Sequence, residues 1–294
     1  MSQFYPHASP GPLGPFANVV FAGGGNRCFW QAGFWLAVAE PLGWRPERVA
    51  AVSAGAAIAC MVFGGLTEQS LDHFKAVTAR NRCNAYWGNM FRGAPVFPHA
   101  AMYRNGVLAV VDEEALARLQ QGPEILVQIA RFPRFLGTRS AMLLGGLAYE
   151  LDKKVRKTLH PRLGQRLGFF AEVVSVRECP TPEAFADLII ASSCTPPFTP
   201  AMRHKGRPVL DGGVVDNVPV GALNGASGNT LVLLTRRYGS LPEVPGRLYV
   251  QPSRDGLVSS WDYTDPEGIQ ATFDLGRRDG EAFLAAYQSL AGAH

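Results

Sequence analysis

Three short stretches pair a reactive or charge-stabilising group with unusually small neighbours. The first is Ala51-Val52-Ser53-Ala54-Gly55. A serine hydroxyl is well placed as a nucleophile when a sharp strand-to-helix bend lifts it clear of the sheet. The helix that follows then turns its N-terminal N–H groups and dipole toward developing negative charge. Such a bend is crowded, and Ala51, Ala54, Gly55, Ala56 and Ala57 supply the small side chains it demands. Ala51 stands where the G-x-S-x-G pattern has glycine, which adds one methyl group. The plain structural use of such a serine is as the N-cap of the next helix.

The second stretch is Gly23-Gly24-Gly25-Asn26-Arg27. Consecutive glycines expose backbone N–H groups and form an anion-binding concavity. A nucleotide-phosphate loop is one use of it, but GGGNRC fits neither G-x-x-x-x-G-K-[ST] nor a full G-x-G-x-x-G with its acidic partner. An oxyanion hole is the other use, and it needs only two aligned donors. Arg27 would add positive potential or orient the loop. The third stretch is Asp211-Gly212-Gly213, directly after Pro208-Val209-Leu210. An aspartate at the carboxyl end of a strand reaches the crevice above a parallel sheet. A D-G turn is the alternative use.

Each stretch has to be positioned by the elements around it. Phe16 to Ala22 reads as a strand, the glycines as a turn and Cys28 to Glu40 as a helix. Val49 to Val52 then reads as a strand, Ser53 to Gly55 as a turn and Ala56 to Phe63 as a helix. This alternation predicts an α/β fold: a mostly parallel central sheet with helices on both faces. Residues 67–166 read as a mainly helical insertion or cap without a convincing strand, and an amphipathic, interfacial use of its second half is one option. Strands are expected again at Phe169–Val176, Asp187–Ala191, Pro208–Leu210 and Thr230–Thr235, and a helix from Pro266 to about Leu290. Residues 1–15, rich in Pro and Gly, read as a flexible lead, and 16–294 as a single domain.

The order GGGNR, AVSAG, DGGVVDNVP resembles the patatin-like phospholipase family. So do Ala191-Ser192-Ser193-Cys194-Thr195-Pro196, which is similar to that family's A-S-x-A-x-P segment, and Asn217 with Pro219. The resemblance spans about residues 16–220 and implies a three-layer α/β/α fold and a serine acyl hydrolase of lipid esters. It implies Ser53 as nucleophile and Asp211 as its base in a Ser-Asp dyad. It also implies Gly23, Gly24, Gly25 and Arg27 as oxyanion hole, with Ala51, Gly55, Gly212 and Gly213 supporting the turns. Cys28 departs from the glycine usual after the arginine. The histidines agree with a dyad. In the Ser–acid–His order of a conventional triad the histidine follows the acid, and only the terminal His294 follows Asp211. His204, in the polar run RHKGR, reads as a solvated loop residue.

Two other functions share these motifs. One is a lipid-binding protein that has kept the fold and lost the chemistry. The other is an acyltransferase that passes the same acyl-enzyme to an alcohol. The bulk properties exclude other classes. A net charge of +4 over 294 residues, with no clustered basic module, argues against nucleic acid and is compatible with contact at anionic membranes. Five scattered cysteines, none in CxxC spacing, suggest reduced thiols, with no metal site and no cofactor. The N-terminus has neither a basic start nor an apolar run, which implies a cytoplasmic protein without a signal peptide. Val49 to Thr67 is free of charge, but its Ala, Gly and Ser content suits a buried strand, turn and helix better than a membrane span. The oligomeric state is not legible.

Overall fold

The computed structural model describes residues 15–151, 159–160, 163–255 and 258–291. The segment read as a flexible lead lies, apart from residue 15, outside them. The two leading units form as the alternation predicts. Strand β1 (Phe16–Phe21) leads through a 3-10 turn to helix α1 (Phe29–Val38), and β2 (Arg48–Val52) to α2 (Ala54–Phe63). Next come α3 (Thr67–Arg80), α4 (His99–Val110), α5 (Glu113–Gln121), β3 (Glu124–Arg131), α6 (Thr138–Leu151) and α7 (Leu163–Arg166). The remainder comprises β4 (Phe170–Ser175), α8 (Pro182–Ser192), β5 (Met202–His204), β6 (Arg207–Asp211), β7 (Asn229–Leu233), β8 (Arg247–Val250) and α9 (Pro266–Ala291).

These strands build one eight-stranded sheet in the order β5-β6-β3-β2-β1-β7-β8, with β4 also paired to β3. The five strands from β3 to β8 run parallel, whereas β4, β5 and β6 pair antiparallel. The period of two along a strand sorts side chains to the two faces. Val19, Phe21, Val49, Ala51, Leu231 and Leu233 enter a large core under the helices. Val20, Ala22, Ala50, Val232 and Leu234 face the opposite layer, closed by the segment around Val218 and Leu223. A third cluster joins Ala141 of α6 to Leu210 of β6.

Two sequence expectations fail, each for a physical reason. Region 67–166 is not strand-free, because Glu124–Arg131 is the strand next to β2 and is mostly buried. A short, mainly apolar stretch flanked by helices has no periodicity that separates strand from helix. Conversely, Asp187–Ala191 is not a strand but the second half of α8. The start of that helix decides the matter: the Thr181 side chain accepts the Ala184 N–H and Pro182 occupies the first turn.

The longest helix, α9, lies against α1 with almost no space between the backbones. A Cβ on Gly276 would run into the Trp30 carbonyl, and one on Gly33 into the Phe273 carbonyl. The Trp30 indole donates to Asp279 Oδ2 at 2.7 Å across this contact. Since α1 begins where the glycine loop ends, α9 fixes the direction in which that loop leaves the sheet. Gly276→Val should therefore destabilise the fold by about 3 kcal/mol or more, measured as a lower urea midpoint. An unchanged midpoint would mean the two helices can move apart at little cost.

Candidate active site

The structure brings the ends of β2 and β6 together on a single strand. Strand β4 pairs along one edge of β3 from Leu126 to Arg131. The other edge is shared: β2 pairs with it as far as Val52–Gln128, and β6 takes over at Asp211–Ile129. The residue after Val52 is Ser53, so two strands running in opposite directions deliver a serine and an aspartate to one point. Ser53 Oγ donates to Asp211 Oδ2 at 2.7 Å.

The turn at Ser53 is tight. Its φ of 54° and ψ of −136° lie where a non-glycine residue costs about 1–3 kcal/mol, so surrounding bonds must hold it. The Ser53 N–H donates to Ser192 Oγ at 2.8 Å, and Ser192 Oγ donates to the Gln128 carbonyl at 2.7 Å. Gly55 is pressed against the Ala22 carbonyl, where a Cβ would collide. The methyl of Ala51, in place of the glycine of the usual pattern, is fully buried in the main core.

Asp211 is held as firmly. Its Oδ1 accepts the Gly213 N–H at 2.7 Å. Gly212 crosses so close to the Gln128 carbonyl that a Cβ would not fit. The Gln128 side-chain amide donates to the carbonyls of Gly212 (3.0 Å) and Asp216 (2.8 Å). Burial raises the Asp211 carboxyl from 3.8 to about 6, against the lowering effect of the bonds from Ser53 and Gly213. No histidine among the described residues hydrogen-bonds to it. His160 pairs instead with Asp216 at 2.8 Å. His204 is not in a solvated loop but at the end of β5, with its Nε2 buried and its pKa lowered, by burial first and by Lys205 second.

The glycine loop lies beside this pair. Gly24, Gly25 and Arg27 border a cavity of about 380 Å³ together with Ser53, Asp211, Gly213 and Asn217. Gly23 has a different part. Its N–H donates to the Asn217 carbonyl at 3.0 Å, and its own carbonyl accepts from Asn217 Nδ2 (2.8 Å) and Thr235 Oγ1 (2.7 Å). Gly23 is thus a strut tied to the loop after β6. The Gly24 and Gly25 amides meet no acceptor among the described residues. Arg27 Nε donates to the Gly24 carbonyl at 3.3 Å and braces the loop from within. Asn26 is anchored by the segment ahead of α9, through the Ser260 and Asp262 carbonyls. Burial holds the Cys28 thiol far above the ordinary range, so it is no thiolate.

Sequence reasoning missed Gln128, the one polar side chain between Ile125 and Ala130. That isolation was its signal. Thr235 was read only as the end of a strand.

The family model for patatin-like phospholipases matches residues 19–224. This chain belongs to the patatin-like phospholipase family. No curated protein sequence matches it. Among solved structures it is similar to VipD from Legionella pneumophila, with 11% sequence identity and a TM-score of 0.44, over 92% of this chain and 67% of that one; a likeness so loose carries no argument. The patatin-like match stops before α9 and the Ser260–Asp262 segment, which clamp its glycine loop from outside the matched span.

The raised Asp211 pKa carries a stability consequence. Between about pH 4 and pH 6 the folded chain keeps a proton that the unfolded chain has lost, so this group's contribution is full below about pH 4 and disappears as pH rises through about 6. Asp211→Asn cannot titrate. Its stability relative to wild type should therefore rise by about 3 kcal/mol between pH 4 and pH 7, read from denaturant midpoints. A difference independent of pH would show that the buried carboxyl is not perturbed.

Proposed function

We propose that the protein is a serine acyl hydrolase that cleaves acyl esters of lipids, with Ser53 as nucleophile and Asp211 as its base. The observation that carries this reading is the 2.7 Å bond from a strained serine at the mouth of a cavity to a buried aspartate. Membership of a family of lipid acyl hydrolases agrees with it. The cavity also adjoins an apolar groove of about 870 Å³ walled by Leu143, Leu147, Pro196 and Pro200, with Met142 and Gly146 in common. Such walls suit an alkyl chain.

In this mechanism Ser53 Oγ attacks the ester carbonyl carbon while its proton passes to Asp211 Oδ2. The negative charge on the carbonyl oxygen falls to the Gly24 and Gly25 amides, which have no other acceptor among the described residues, and to the N-terminus of α2. Collapse expels the alkoxide, which takes the proton from Asp211 and leaves an acyl group on Ser53. Water then attacks the acyl carbon and gives its proton to Asp211. Ser53 Oγ leaves as the acid is released and recovers that proton. A carboxyl near 6 is ionised at neutral pH and yet more basic than a free aspartate, which narrows the gap to a hydroxyl.

Hydrolysis of a p-nitrophenyl acyl ester should fall to background in Ser53→Ala and by roughly 10²–10⁴-fold in Asp211→Asn. In the wild type, kcat/KM should rise tenfold per pH unit below about 6 and level off above it, following ionisation of Asp211. Undiminished turnover in Ser53→Ala would sink the assignment. A profile still rising well above pH 7 would point to another base. Because no step uses a metal, chelators should leave the rate unchanged.

A further inference from the structure

Two exposed apolar arms reach the cavity. Strand β3 runs parallel to β2, so the loop after β3 emerges at the edge of the sheet where Ser53 lies. That loop carries Phe135, 86% exposed. It leads into α6, whose Met142 and Gly146 border the cavity and whose Leu143, 67% exposed, lines the adjoining groove. Trp261 also borders the cavity and stacks on Phe198 at 5.2 Å. Phe198 packs on Phe97 at 4.8 Å, and Phe97 meets Trp87 edge-on at 6.0 Å. Trp87 opens a 3-10 turn that also carries Met90 and Phe91, the latter 88% exposed. Large apolar side chains left in water beside one opening mark an interaction surface.

The charge on the same segments is one-sided. No Asp or Glu occurs between Asp72 and Asp112, between Glu124 and Glu150, or between Asp187 and Asp211. These three stretches supply both arms except Trp261. The nearby Asp262 is occupied, since its Oδ1 accepts from Asn84 and Thr264. Arg82, Arg92, Arg134 and Arg139 are exposed on these stretches and form no ion pair among the described residues. Aromatic and aliphatic tips flanked by unpaired arginines, with acids excluded, match the boundary of an anionic bilayer: apolar groups enter the acyl region and guanidinium groups stay at the phosphates. Among the described residues no helix is long and apolar enough to cross a membrane, so such a surface would rest on the bilayer.

We propose that this surface, made of the Trp87–Arg92 and Phe135–Leu147 segments beside the cavity, docks the protein on an anionic lipid surface and turns the Ser53 cavity toward it. The proposal rests on the hydrolase reading for its purpose, but its test does not require turnover. Flotation would compare vesicles of pure phosphatidylcholine with vesicles containing about a third phosphatidylglycerol. Wild type and Ser53→Ala should both float with the anionic vesicles, and added salt should weaken this. Arg92→Glu/Arg134→Glu should weaken binding by at least about twentyfold, since one cation near such a surface is worth roughly fivefold. Phe91→Glu/Phe135→Glu should weaken it comparably. Thermal melts coinciding with wild type would confirm that these exposed changes leave the fold intact. The proposal is overturned if wild type binds neither vesicle, if it binds both equally, or if both double variants bind as wild type does. Binding that persists while ester hydrolysis is absent would instead count against the hydrolase reading alone.

Discussion

A single edge of β3 has to serve two strands at once, and the rest of the site follows from how that edge is divided. β2 occupies it up to Gln128 and β6 begins at Ile129, so the chain ends carrying Ser53 and Asp211 abut. Such a junction leaves backbone groups that neither ladder can satisfy, and burial makes unpaired groups expensive. Gln128 resolves this. Its side-chain amide takes the carbonyls of Gly212 and Asp216, while its own carbonyl accepts the Ser192 hydroxyl that in turn holds the Ser53 N–H. One buried glutamine thus fastens both halves of the pair, and it can be reached from either only through the fold.

The same economy holds for the glycine loop. Gly23 is consumed as a strut between β1 and the loop after β6, with both its N–H and its carbonyl engaged. That leaves its two successors facing the cavity. The position of the loop is set from outside as well: α9 lies flush on α1, and the Ser260–Asp262 segment holds Asn26. Local strain at Ser53, burial of Asp211 and the uncommitted amides are therefore maintained by contacts spread over most of the chain, a stability cost typical of sites that must be preorganised.

Part of this is legible in the sequence. Apolar runs ending in glycine or serine marked β1 and β2, and the small residues after Ser53 announced a crowded turn. The histidine positions were local information too: only the terminal His294 follows Asp211. The failures were equally specific. β3 was hidden because a buried strand and a buried helix segment share one composition, and α8 was half misread because its tail is rich in Leu and Ile while its capping signal lies several residues earlier.

By itself, the sequence determined which groups could react and in what order along the chain they occur, because glycine turns and apolar runs are local properties. It also carried the acid-free stretches that make the rim cationic. Only the tertiary structure decided that Ser53 and Asp211, 158 residues apart, share a 2.7 Å hydrogen bond, that Gly23 is spent as a strut, and that the carboxyl titrates near 6. Distance, desolvation and the division of hydrogen bonds all depend on which strand lies beside which, and strand pairing is a long-range choice that no local stretch encodes.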